Sequence, residues 1–244
     1  MAADLASAAR VDYFAAISHA VAARVRKYYR REAEVIFPPV DVAGARPGTN
    51  IADYYLIVGQ LVGYKRVDLA IEACNRLGRT LRIVGMGEEY SRLRRMAGPT
   101  VSFLGSLSDE EVRKQYASCR ALLFPGEEDF GIVPLEAHAA GRPVIAFGKG
   151  GVQDTVIACD FDETPFPERS TGLFFREQTA EAVADAIRMF ESVEGRYSPS
   201  FIRTHAEQFD KRHFLEKMRD FLMGKLDDFS LTAPSTEKAG ARNS

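Results

Sequence analysis

Two glutamates with seven residues between them, Glu128 and Glu136, bracket the stretch Asp129-Phe130-Gly131-Ile132-Val133-Pro134-Leu135. An apolar run, Ala121–Pro125, precedes them, and a helical pattern runs from Pro134 to Gly141. The pattern predicts a strand, a loop and a helix whose first position is Pro134. Backbone N–H groups at such a helix start have no intrahelical partner, and the helix dipole favours negative charge there, so a phosphate binds readily. Gly131 carries no side chain to hold a ligand off the backbone. Carboxylates are poor phosphate ligands but good acceptors for sugar hydroxyls. This chemistry assigns Glu136 to a ribose diol and Glu128 to the hydroxyls of a transferred sugar. A plainer reading fits the same spacing: Glu136 favours the positive helix end, and Glu127–Asp129 form a solvated acidic loop. Spacing alone leaves both open.

The elements that must position these residues alternate in type. Strands are predicted at 54–59, 81–85, 101–104, 121–125, 143–147 and 171–175. Between them lie helical patterns at 67–77, 88–96, from Ser108 onward, 134–140 and 179–192, with Ser108 and Glu111 spaced as a capping box. The run 54–59 is continuously apolar, as expected of a strand with both faces covered. The alternation predicts a doubly wound, Rossmann-like α/β domain with a parallel sheet over roughly residues 40–195. In such a sheet ligands bind beyond the carboxyl ends of the strands.

The two ends of the chain differ from this core. Residues 12–17 read as one strand and 18–30 as one helix, a βα unit with no sheet of its own, before a proline corner at Pro38-Pro39. Helices at 199–208 and 210–223 carry apolar residues, among them Phe201, Phe209, Phe214, Met218, Phe221 and Leu222, that need a surface to cover. The stretch from about Ser230 to Ser244 is small and polar and is expected to be disordered.

Composition excludes several function classes. A net charge of −2 argues against a chain that coats nucleic acid. Cys74, Cys119 and Cys159 are odd in number and far apart, which suits thiols in a reducing cytoplasm rather than a disulfide frame. No apolar run approaches the ~18 residues of a membrane span, so the chain reads as soluble. His19, His138, His205 and His213 have no Cys or His partners at ligand spacing, so no metal is expected. His138 reads as a packing or solvated residue. Gly85-Met86-Gly87 lacks the third glycine of a dinucleotide fingerprint and reads as a strand-to-helix turn. The basic run Arg24–Arg31 reads as an exposed helix face.

The string from Glu127 to Gly151, EEDFGIVPLEAHAAGRPVIAFGKGG, resembles the retaining glycosyltransferases of the GT-B fold, family 4. The resemblance extends to the segments at Val58–Asp68, Ile83–Gly87, Phe103–Ser108 and Thr171–Phe174, and covers about residues 11–225. The Glu-Glu-Asp-Phe-Gly wording is most similar to GDP-mannose-dependent mannosyltransferases of bacterial polysaccharide assembly. The resemblance implies that Glu128 contacts the donor sugar and Glu136 the ribose, while Phe130, Gly131, Ile132 and Val133 present backbone to sugar and diphosphate. It implies that Lys65 neutralises the diphosphate as charge builds on the leaving phosphate, and that Leu107 packs near the base. Lys65 and Glu128 are thus the implied catalytic pair. One position departs from the pattern: Gln60 stands where the family has an arginine, which removes a charge-assisted contact. Arg66 is a candidate to compensate, although helix geometry turns it away. No cofactor is implied beyond the nucleotide sugar itself, and no metal.

By the same resemblance the chain is the nucleotide-sugar-binding, C-terminal half of a GT-B fold, with an acceptor domain missing. Residues 1–39 would be a remnant of that N-terminal domain, 40–197 the donor-binding domain, 198–229 crossover helices and 230–244 the tail. The function implied is binding of GDP-mannose for hexose transfer to a polysaccharide or lipid-linked acceptor, with this chain alone inactive. The expected location is the cytoplasm, with peripheral contact at the inner face of its membrane left open for the full enzyme. The alternatives are a non-catalytic binding or assembly module that needs a separate N-terminal partner, and another GT-B enzyme such as a sugar phosphorylase or an epimerase relative.

Overall fold

In the computed structural model, residues 7–159 and 169–232 are described, with side chains up to residue 228. A small unit comes first: strand β1 (Ala15–Ala16), helix α1 (His19–Tyr29) and strand β2 (Glu34–Val35). Its two strands pair in parallel, Ala15 with Glu34 and Ala16 with Val35. The βα unit therefore has a sheet after all, which corrects the sequence reading. The second strand escaped notice because two residues leave no periodicity to read.

The main domain follows as β3 (Tyr55–Val58), α2 (Val67–Leu77), β4 (Leu81–Val84), α3 (Tyr90–Met96), β5 (Val101–Gly105), α4 (Asp109–Ser118) and β6 (Leu122–Phe124). It continues with α5 (Ile132–Ala139), β7 (Val144–Phe147), α6 (Val152–Thr155), β8 (Ala158–Cys159), β9 (Gly172–Phe175) and α7 (Ala180–Val193). Helices α8 (Pro199–Glu207) and α9 (Lys211–Thr232) close the chain. The rest of the tail expected from Ser230, residues 233–244, lies outside the described residues.

The sheet has seven parallel strands in the order β5-β4-β3-β6-β7-β9-β8. All six predicted strands are present; the seventh, the two-residue β8 at one edge, was not predicted. Alternate residues of each strand enter opposite cores. Tyr55, Ile57, Leu123, Ile145, Phe147 and Leu173 face α2 and α7. Tyr54, Leu56, Leu122, Phe124, Val144 and Ala146 face the other way, toward Tyr116 of α4 and Ala137 of α5. Leu56, Leu122 and Ile145 are fully buried, each worth roughly 1.5–3 kcal/mol of transfer free energy. Strand order runs outward from β3 to β5, then restarts at β6 beside β3, with Leu56 opposite Leu122. The carboxyl ends of β3 and β6 thus flank the point where the winding reverses, where α/β sheets open a crevice.

The terminal helices are only partly covered. Helix α8 lies on α5, with Arg203 donating to the Ala139 carbonyl at 2.6 Å, and Phe209 is buried. On α9, Leu215, Leu222, Met223 and Leu226 are exposed.

Candidate functional site

The loop between β6 and α5 is held from behind. The Gly151 N–H donates to the Glu128 carbonyl at 2.8 Å. A side chain at Gly151 would meet the Phe130 Cα at 2.3 Å, so only glycine allows the two loops to touch. The Phe130 ring is buried, stacked on Phe37 at 5.6 Å and near Phe209 at 6.1 Å. With its ring anchored, what Phe130 offers the cleft is backbone. Gly131 follows in the left-handed region at φ 102° and caps α5. The helix starts two residues before the predicted position, so Pro134 is its third residue and not its first. Proline is tolerated there because no amide of the first turn has an intrahelical acceptor. The early start adds the amides of Ile132 and Val133 to that first turn. With Ile17 and Tyr64, the 127–133 loop lines a cleft of about 460 Å³, within the ordinary size range of small-molecule sites.

Lys65 stands beside this cleft, beyond the end of β3, in a narrower crevice that shares Glu128 with it. It closes a short 3-10 turn, Gly63–Lys65, before α2. Its Nζ lies 2.5 Å from Glu128 Oε1, and the two side chains are only 16% and 20% exposed. Gln60 lines that narrower crevice with Lys65 and Glu128. Arg66 turns aside and donates to both carboxylate oxygens of Asp68, at 3.3 and 3.4 Å. It offers the crevice no charge to replace the missing arginine.

Glu136 occupies a different setting. It lines a separate cavity of about 210 Å³ with Asp41, Asp109, Arg113 and Tyr116. Tyr116 donates its hydroxyl to Glu136 Oε2 at 2.8 Å. Burial raises the Glu136 pKa, against the lowering effect of the Tyr116 hydrogen bond, and Asp109 raises it further. The Tyr116 phenol is itself pushed well above its ordinary value, chiefly by burial. Leu107 is partly buried against the apolar cluster beneath α4 and α5 and lines none of these three cavities.

The expected residues therefore fall into two groups. Gln60 and Lys65 line the β3–β6 crevice and the 130–133 segment lines the adjoining cleft, with Glu128 common to both, while Glu136 opens onto a separate cavity beside α4. Sequence reasoning missed Asp41, Asp109, Arg113 and Tyr116. Only Tyr116 left a signal, as the buried residue one turn after Val112 on an otherwise polar helix. It also missed how closely the N-terminal unit is tied to the site. Arg24 pairs with Asp129 at 2.5 Å, and His19 meets Asp154 through its backbone N–H and its Nδ1, both at 2.8 Å.

Behind the loop, His138 is buried, as a packing role requires. Its Nε2 donates to the Thr171 carbonyl at 3.1 Å, and burial pushes its pKa down to about 3. Burial also pushes Cys74 and Cys119 up to about 12, which makes them unreactive thiols. Among the described residues there is no cluster of three or more His, Cys, Asp or Glu side chains fit for a metal, and no helix long and apolar enough to cross a membrane.

Known proteins share this architecture. Over 92% of the chain it superposes on sucrose-phosphate synthase from Thermosynechococcus elongatus, with a TM-score of 0.78, 22% identity and 61% of that chain covered. Over 91% it superposes on Anabaena HepE in complex with UDP and glucose, with a TM-score of 0.76, 18% identity and 66% of that chain covered. These likenesses establish the fold, a parallel sheet with flanking helices of the kind found in GT-B glycosyltransferases. In sequence, the chain is 34% identical over 113 residues to human alpha-1,3/1,6-mannosyltransferase ALG2, covering 41% of this chain and 27% of that protein. It is 29% identical over 179 residues to O-antigen chain mannosyltransferase C of Escherichia coli, covering 67% of this chain and 44% of that one. The chain thus spans less than half the length of these relatives. Residues 49–207, which run from the approach to β3 to the end of α8 and so contain the whole crevice, match the sequence pattern described as Glycosyl transferases group 1, and the chain belongs to that family.

Proposed function

We propose that this chain binds GDP-mannose and forms the donor-holding half of a retaining, family 4 glycosyltransferase that passes a hexose to a polysaccharide or lipid-linked acceptor. The observation that carries the reading is that Glu128 joins two adjoining spaces where the sheet winding reverses, the crevice that holds Lys65 and the cleft at the first turn of α5. The diphosphate lies over the amides of Ile132 and Val133, where the helix dipole and unpaired N–H groups favour an anion. Lys65 adds a full positive charge. As the bond from the anomeric carbon to the phosphate oxygen breaks, the electron pair stays on that oxygen, and this preorganised charge stabilises it. With protein charges in that role, the transfer calls for no metal. Glu128 accepts from hydroxyls of the transferred sugar, Glu136 from the ribose diol, and Gln60 contributes a neutral hydrogen bond. Leu107 packs near the base.

The choice of GDP-mannose rests on the Glu127–Gly131 wording and on the mannosyltransferases among the relatives. Titration of the chain by calorimetry with GDP-mannose and, in parallel, UDP-glucose tests the reading. Heat from GDP-mannose alone is expected; heat from UDP-glucose alone overturns the choice of donor, and no heat from either overturns the site. A second reading is favoured by the exposed Leu215, Leu222, Met223 and Leu226 on α9: a module that binds the donor but needs a separate acceptor-binding partner seated there. Hexose transfer by the chain alone would defeat it.

A further inference from the structure

The ion pair between Lys65 and Glu128 joins the two groups that the proposed function assigns to different parts of one ligand. We infer that Glu128 sets the preference of this site for nucleotide sugar over bare nucleoside diphosphate, by holding Lys65 until sugar hydroxyls replace it. The inference rests on the reading of the crevice as a donor site.

Lys65 Nζ and Glu128 Oε1 are 2.5 Å apart, and both side chains are more than three-quarters covered. Nearby cations are committed elsewhere, Arg66 to Asp68 and Arg24 to Asp129. In the proposed exchange, a diphosphate at the start of α5 draws the ammonium across from Glu128 out of the adjoining crevice. With no sugar attached, the carboxylate then keeps no donor in a largely covered crevice, and it faces a second anion. Stripping a partner from a covered charged group is costly, and like charges at close range in a poorly solvated site add to that cost. A nucleotide sugar avoids the first penalty because its hydroxyls donate to Glu128 as the lysine leaves, and it lessens the second because the phosphate that bears the sugar carries less negative charge than a terminal one. The donor substrate thus leaves Glu128 partnered, whereas the nucleoside diphosphate left after transfer does not. The same exchange favours departure of that product.

Calorimetric titration of the wild-type chain and of Glu128→Gln tests this, with GDP and GDP-mannose as ligands and UDP and UDP-glucose alongside. The amide keeps the shape but removes the charge that retains Lys65. The nucleoside diphosphate that the wild-type chain binds is expected to bind about tenfold more tightly to the variant. The ratio of its dissociation constant to that of the corresponding nucleotide sugar is expected to fall by at least as much. Unchanged or weaker nucleoside diphosphate binding by a variant that melts with the wild type overturns the inference while leaving the site in place. Absence of binding by both proteins removes the site and the inference together. If the amide variant melts early, Glu128→Asp, which keeps the charge but shortens the reach to Lys65, must shift the ratio in the same direction.

Discussion

Glu128 and Glu136 are the same residue type on either side of one helix start, yet their surroundings differ in kind. Glu128 is paired with the charged side chain of Lys65. Glu136 is bonded to the neutral hydroxyl of a buried tyrosine that stays where the core holds it. The proposed function makes the first carboxylate a point of exchange and the second a point of steady recognition. The difference teaches that a motif spacing fixes two positions without fixing two roles. The difference comes from what the 63–65 turn and α4 bring to each side.

The largest expected effect comes from breaking the exchange side. Lys65→Ala removes the diphosphate's cation and strips Glu128 of its partner, and is expected to weaken nucleoside diphosphate binding about 10- to 100-fold. Calorimetry checks it, and a loss below about twofold would leave the helix amides as the whole anion site.

Next comes the background of pH dependence behind α5, which must be known before either glutamate is titrated. His138 and His205 both have folded-state pKa values below the ordinary 6.5, chiefly from burial. The unfolded chain therefore binds more protons than the native one below that value, and stability must fall as the pH drops below about 6.5. For His138 the loss continues down to about 3. Each histidine contributes a slope of up to ~1.4 kcal/mol per pH unit. Chemical denaturation at pH 7 and pH 5 measures it, and His138→Gln should flatten the slope. Equal stability at both values would show that the pair is not held neutral.

The smallest effect sharpens the contrast between the glutamates. A carboxyl whose folded pKa is raised, as for Glu136, contributes most below its ordinary value and loses that contribution as pH rises through the folded value. Glu136→Gln should therefore raise stability slightly at pH 7, by up to about 1 kcal/mol, whereas Glu128→Gln should lower it by about 1 kcal/mol through the lost pair. Denaturant midpoints give the two signs. In binding, a ligand lacking the ribose hydroxyls should lose affinity for the wild-type chain and lose nothing further in Glu136→Ala. Two separate losses that simply add would take the ribose away from Glu136.

The sheet was legible because several of its strands are uninterrupted apolar runs, such as Tyr55-Leu56-Ile57-Val58 and Leu122-Leu123-Phe124, as burial on both faces demands. The two-residue strands β2 and β8 were not, since nothing repeats within them. The start of α5 was misplaced by two residues because Pro134 suggested a first position, whereas the left-handed Gly131 caps the helix earlier.

By itself the sequence determined the alternating α/β order, the turn into α5 and the residue types available there, because periodicity, glycine and proline act locally along the chain. Only the tertiary structure decided that Lys65 meets Glu128 across 63 positions and that Tyr116 reaches Glu136 across 20. Those meetings depend on β3 pairing with β6 and on α4 packing beside α5, and pairing between distant segments is chosen by the whole core at once. No local pattern encodes it.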